Sequence, residues 1–299
     1  MKMVSIAPAT LVALFLISCS GVVPKQEGYR LDASLASAIP ADTVALVGGR
    51  WDLLTKSPLY ARFAPLLPGE GAGGMAAQYG LDPAKDIKEF VAAYNGKDPV
   101  FLITGSFRSN EVLDKVASQA GGQRADYHGK ALAARGPSGM AAISPAVLAA
   151  GSVPRLHEII DRLAQSAKLD ERWAAGLRSL PGQAQVWVLT SGGMKLNLAG
   201  NLGNLDKVLG SLESVVGWGD LSKGVRLSVT GSTRDADSAK QLHTQLRGLI
   251  GLGRLSTPDN KPELLKLYDG IATKLDDKKI VVDAEFAEAA LDPLLKLVR

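Results

Sequence analysis

The sequence predicts an α+β chain of two similar halves, each roughly β-α-β-β-α-β-β-α, with largely antiparallel sheets and helices covering one sheet face. Three observations predict it. A strand-like run closing on Thr-Gly-Ser-x-Arg occurs twice, at Thr104-Gly105-Ser106-Phe107-Arg108 and at Thr230-Gly231-Ser232-Thr233-Arg234. Each copy leads into a run with helical spacing. Strand-like runs are also joined by tight-turn signals, Asn95-Gly96 and Asp276-Asp277, which suit hairpins rather than the long crossovers that parallel strands need.

The elements follow in order. Thr43-Val44-Ala45-Leu46-Val47 reads as a strand, and residues 52–63 as a helix. After the first Thr-Gly-Ser, residues 110–119 place Leu113 and Val116 on one helical face, with Ser109 as the expected N-cap. Lys130 to Ala134, Ala141 to Ile143 and Ala146 to Ala150 read as strands. Ser152-Val153-Pro154 opens a helix, since proline suits the first turn, and Leu156, Ile159, Ile160 and Leu163 form its apolar face. A short helix over 171–180 ends in Pro181-Gly182.

The second half repeats the order. Gln185-Val186-Trp187-Val188-Leu189 is a strand, and residues 204–216 carry Leu205, Val208, Leu209, Leu212 and Val216 at helical spacing. After the second Thr-Gly-Ser, residues 235–250 place Ala239, Leu242, Leu246 and Leu249 on one face, with Asp235 as N-cap. Gly248, Gly251 and Gly253 read as its C-terminal stop. Residues 271–275 and 280–286 form a hairpin, and Ala290, Leu291, Leu294, Leu295 and Leu297 a terminal helix. Duplication of one unit accounts for the parallel. The halves divide as 39–170 and 171–299.

The N-terminus carries a different signal. Lys2 precedes an uncharged apolar run, residues 3–17, that is shorter than the roughly 20 residues a membrane span needs. The run ends in Leu16-Ile17-Ser18-Cys19, which resembles the lipobox of bacterial lipoproteins. The resemblance implies a signal peptide over 1–18, cleavage before Cys19, diacylglycerol on its thiol and acylation of its new amino group. Cys19 is the one cysteine of the chain, so no internal disulfide competes for it. Residues 19–38 then read as a lipidated tether. Ser20, standing where an inner-membrane retention signal has Asp, implies the outer membrane, facing the periplasm. In the body, Ile39-Pro40-Ala41-Asp42 and Gly80-Leu81-Asp82-Pro83 resemble segments of uncharacterised secreted bacterial proteins and lipoproteins, which implies no activity.

Composition bounds the rest. With 299 residues, 46% of them hydrophobic, the chain can bury a substantial core. The net charge of +4 is spread among interspersed acids, as in Lys274-Leu275-Asp276-Asp277-Lys278-Lys279, so no nucleic-acid surface is expected. His128, His157 and His243 have no metal-ligand spacing, and no metal or cofactor is expected. His157 and Asp161 are i,i+4 neighbours and read as a surface pair; His128 reads as a turn, and His243 as solvent-facing. Serine-nucleophile elbows are absent. Gly69-Glu70-Gly71-Ala72-Gly73-Gly74 lacks the context of a phosphate loop and reads as a plain loop. Trp51, Trp173 and Trp187 read as packing residues, and Trp218, between two glycines, as a partly exposed aromatic at a bend.

The expectation for function is therefore a membrane-anchored, non-catalytic envelope module. It would bind or scaffold an envelope protein or another ligand, and it uses the membrane through Cys19. A carrier or chaperone for a lipid or other apolar ligand is the alternative. A hydrolase with a site assembled from scattered residues is a third reading.

Overall fold

A computed structural model describes residues 28–63, 79, 81–192, 211–258 and 265–291. Cys19, the signal and the glycine run at 69–74 lie outside the described residues. Among the described residues, twelve strands form one sheet, in the spatial order β11-β12-β10-β9-β8-β1-β2-β3-β7-β6-β5-β4. They are β1 (Ala45–Arg50), β2 (Ile87–Tyr94), β3 (Pro99–Gly105), β4 (Gly122–Tyr127), β5 (Lys130–Arg135), β6 (Ser138–Ser144), β7 (Val147–Ser152), β8 (Val186–Ser191), β9 (Leu212–Asp220), β10 (Val225–Thr233), β11 (Ile271–Asp276) and β12 (Lys279–Phe286). Every neighbouring pair is antiparallel. The first strand of each sequence half meets the other at the centre, where Leu46 lies opposite Leu189 and Gly48 opposite Trp187.

The hairpins have the chemistry their turns require. Asn95 Oδ1 accepts from the backbone N–H groups of Lys97 and Asp98, and Gly96 takes φ +95. Asp277 takes φ 49 between β11 and β12, the left-handed region that Asn and Asp tolerate better than most residues.

Nine α-helices flank the sheet among the described residues: α1 (Ala33–Ala38), α2 (Trp51–Leu54), α3 (Tyr60–Phe63), α4 (Pro83–Asp86), α5 (Ser109–Ser118), α6 (Val153–Ala164), α7 (Glu171–Ser179), α8 (Ala236–Leu255) and α9 (Leu265–Asp269). α6 has its proline in the first turn and buries Leu156, Ile159 and Ile160, each worth about 2 kcal/mol against solvent. α1, α6 and α7 pack with Leu46, Val91, Leu102, Ala149 and Trp187 in the main core. α5 packs instead with Ala133 and Leu148, which alternate with main-core residues along the same strands. α8 packs with Val215, Ile280 and Val282. In-register partners share a face, and the pairs Val229–Val282, Gly217–Val229 and Val188–Gly217 put α8 on α5's side. The expectation of helices on one face is corrected: they sit on both, at different places along the sheet.

Other expectations change too. The single helix expected over 52–63 is split into α2 and α3, because Pro58 disfavours helical geometry at Ser57. The helix expected over 204–216 is a strand from Leu212 onward; 204–210 lie outside the described residues. Val215 and Val216 favour extended backbone, Gly217 and Gly219 weaken a helix, and β8 and β10 pair on either side. Ser109 is not a cap: its buried hydroxyl donates to the carbonyls of Ser144 (2.7 Å) and Pro145 (3.0 Å). Asp235 does cap α8, accepting from Ser238 N–H at 2.7 Å. Gly248, Gly251 and Gly253 lie inside α8 and do not stop it. The terminal segment begins as a 3-10 turn, Glu288–Leu291, and Leu294, Leu295 and Leu297 lie outside the described residues. The stretch 29–38, expected to belong to the tether, is part of the core instead: Tyr29, Leu35 and Ala38 are buried in it.

Candidate binding surface

Three features near the central seam bear on function. The first is a row of side chains across the open sheet face. Reading across the strands, Met140, Ala150, Phe101, Ala92, Val47, Val188, Gly217, Val229 and Val282 are successive in-register partners. The helices α5 and α8 cover the ends of this row. Between them Val47 is 45% exposed, Phe101 48% and Val229 39%, with Leu227 and Tyr94 exposed on the same face. Burial elsewhere accounts for most large apolar side chains of this sheet, so five exposed on one face form a patch and not scattered surface residues. Gly217 and Gly219 lower the surface there: a Cβ at Gly217 would meet Val188 and Val229, and one at Gly219 would meet Leu227 and Val186.

The second feature is a buried carboxylate on the other face. Glu89, 8% exposed, accepts a short hydrogen bond from Tyr29 Oη and a 3.0 Å bond from the Asp32 N–H. Burial raises the Glu89 pKa above the ordinary carboxylate value, against the lowering effect of these two bonds and of the Arg50 charge. Burial, then the Glu89 charge, pushes the Tyr29 phenol up as well. Arg50 is the cross-strand partner of Glu89, and its guanidinium lies 5.3 Å from the centre of the Tyr29 ring. Trp187 meets the same ring edge-on at 5.6 Å.

The third feature is a cleft of about 520 Å³ at the ends of β1, β8 and β9. Arg50, Leu53, Lys56, Ser57, Pro58, Gly182, Gln183, Gln185, Asp220 and Ser222 line it. Gln185 Oε1 accepts from Leu221 N–H at 2.9 Å, and Asp220 Oδ1 from Ser222 N–H at 2.9 Å. Asp220 also pairs with Arg226. The first described residues lie beside this cleft: Gly28 bridges to Pro181, and Tyr29 N–H donates to Leu180 C=O at 3.0 Å. Only glycine fits at 28, because a Cβ would lie 2.3 Å from the Arg178 carbonyl oxygen.

His128 lies at a turn as expected, while His157 and His243 take places that spacing does not foresee. Asp161 bonds His128 Nδ1 (3.0 Å) and Tyr127 Oη (3.2 Å), not His157. His157 stacks on the Tyr127 ring at 3.8 Å. His128 is at the β4–β5 turn, φ 50. His243 is half-buried, with Nε2 3.1 Å from Thr273 Oγ1, so its expected solvent-facing place is corrected. Among the described residues, no three His, Cys, Asp or Glu side chains converge as metal ligands. Trp173 and Trp187 are core; Trp51 meets Tyr60 and Phe90 edge-on. Trp218 lies mid-strand, half-buried against the main core, not at a bend. Neither Glu89 nor Arg50 was a sequence candidate.

The fold and these sites define a mixed α and β protein with one large antiparallel sheet. No family model matches the chain, and no curated protein matches it. Solved structures of TP0453, a treponemal protein, share the fold. Crystal form I is 9% identical with a TM-score of 0.51, covering 90% of this chain and 98% of that one. Crystal form III is 8% identical with a TM-score of 0.53, covering 90% and 99%. Among the described residues no helix is long and apolar enough to cross a membrane.

Proposed function

We propose that the protein is an envelope lipoprotein, held at the membrane through acylated Cys19, whose body is a non-catalytic binding or scaffolding module. The observation that carries the reading is the lipobox Leu16-Ile17-Ser18-Cys19, set nine residues before Gly28, where the chain joins the body. Such a spacing leaves a tether of roughly 30 Å at full extension. The exposed row around Val47, Phe101 and Val229 supplies the surface for a partner. The same row favours a second reading, a carrier of lipid or another apolar ligand, because it holds adjacent apolar side chains over a surface lowered by glycines.

Duplication belongs to this proposal. The strand order supports it: outward from the seam, β1-β2-β3-β7 on one side matches β8-β9-β10-β12 on the other. Thr104-Gly105 and Thr230-Gly231 occupy corresponding strands, and a helix follows each.

Fractionation of cells producing the wild-type chain and a Cys19→Ala variant tests the anchor. Wild type in the membrane fraction and loss of processing in the variant are expected; wild type in the soluble periplasmic fraction contradicts it. Organic extraction of the purified protein tests the second reading, which requires a co-purifying apolar compound that Phe101→Ser/Val229→Ser diminishes.

A further inference from the structure

We propose that the cleft beside the tether is a phosphate-binding site, suited to the headgroup of an anionic phospholipid. Its charge is the first argument. Arg50 and Lys56 both line it, and among the described residues neither makes an ion pair. The one acid in the lining, Asp220, is already matched by Arg226. Glu89 sits across from Arg50, but its two carboxyl oxygens are occupied by Tyr29 Oη and by the Asp32 N–H.

Shape and chemistry give the second argument. The Arg50 guanidinium is held against the Tyr29 ring, which limits the conformations its fork must give up on binding an oxyanion. Lys56, an exposed residue of the lining, adds a flexible point charge. At about 520 Å³ the cleft is larger than a bare phosphate needs, and Leu53 and Pro58 offer an apolar wall to a glycerol backbone.

Position is the third. Pro181 carries the bridge to Gly28, and the next two residues, Gly182 and Gln183, line the cleft. A chain tethered at Cys19 therefore keeps this cleft within roughly 30 Å of the bilayer surface. The headgroup source rests on the anchored reading; the phosphate chemistry rests on the cleft alone.

The test uses the mature acylated chain in neutral detergent, titrated calorimetrically with glycerophosphoglycerol, the water-soluble headgroup of phosphatidylglycerol, and with inorganic phosphate. Saturable binding of glycerophosphoglycerol is expected, falling at least tenfold in Lys56→Gln and further in Arg50→Gln/Lys56→Gln, and weakening as salt is raised. Tighter binding of the headgroup than of inorganic phosphate supports a lipid source. Equal or tighter binding of inorganic phosphate keeps the site and assigns it to free phosphate. Absence of saturable binding for both probes overturns the proposal, as does unchanged affinity in a double variant with wild-type circular dichroism. Lys56 has an exposed side chain, so the single variant remains informative if replacing Arg50 disturbs the fold. The mass of the same preparation reports whether Cys19 is acylated, so failure of the anchor and failure of the cleft are read separately.

Discussion

Arg155, buried in α6, holds Asp42 through two parallel N–H···O bonds of 2.8 and 2.9 Å. Asp42 is the last residue of the Ile39-Pro40-Ala41-Asp42 segment, and Asn95 of the β2–β3 turn donates to it at 2.9 Å. Arg172 of α7 donates to the Thr43 carbonyl at 3.1 Å. Three elements thus pin the segment that leads into the central strand, which gives the motif a structural reason.

Removing Asp42 leaves Arg155 with Glu158 alone. Asp42→Ala is expected to cost about 1–3 kcal/mol, below the full cost of breaking a buried pair because Asp42 is half exposed and screened. The Arg155 hydrogen bond, ahead of other causes, lowers the Asp42 pKa below 3.8. Its contribution is therefore present above pH 4 and lost as pH falls below it. Urea melts of wild type and Asp42→Asn should converge under strong acid and separate at neutral pH.

Glu89 has the opposite sign. Its raised pKa means the folded state holds the proton where the unfolded state has released it, so stability falls as pH rises above the ordinary carboxylate value of 4.5. Glu89→Gln should flatten that fall in denaturant midpoints. Tyr29→Phe should cost about 1–3 kcal/mol by leaving a buried carboxyl oxygen without its donor.

The two Thr-Gly-Ser glycines should respond differently. A Cβ at Gly105 would lie 1.7 Å from the Asp86 carbonyl oxygen, which is backbone. At Gly231 it would lie 2.8 Å from Leu212 Cδ2, the end of a side chain that can turn. Gly105→Ala should lower the thermal midpoint far more than Gly231→Ala.

Phe101→Ser and Val229→Ser replace exposed side chains and should change stability by about 0.5 kcal/mol or less. If the open face binds apolar compounds, fluorescence of a bound hydrophobic dye should drop in both variants. Unchanged dye binding would count against that face.

Much of the fold was legible where local chemistry and tertiary structure agree. The β11–β12 hairpin, the proline start of α6 and the Asp235 cap follow from residue types that act within a few positions. β4 gives no sequence signal because Gly122–Tyr127 is a polar edge strand without alternation. β9 reads as a helix from sequence because its leucine and valine spacing fits one until pairing partners on both sides are considered. The Tyr29–Glu89 contact joins residues 60 apart, and no spacing rule reaches it. Arg50 is a cleft residue only because β1 ends beside β8 and β9.

Intact mass spectrometry of the protein taken from native membranes tests the proposed anchor at Cys19 most directly. The predicted mass is that of a chain beginning at Cys19 plus diacylglycerol and an amide-linked acyl chain, with a Cys19→Ala control that carries neither. A mature chain without acyl groups, or one cleaved elsewhere, would contradict it.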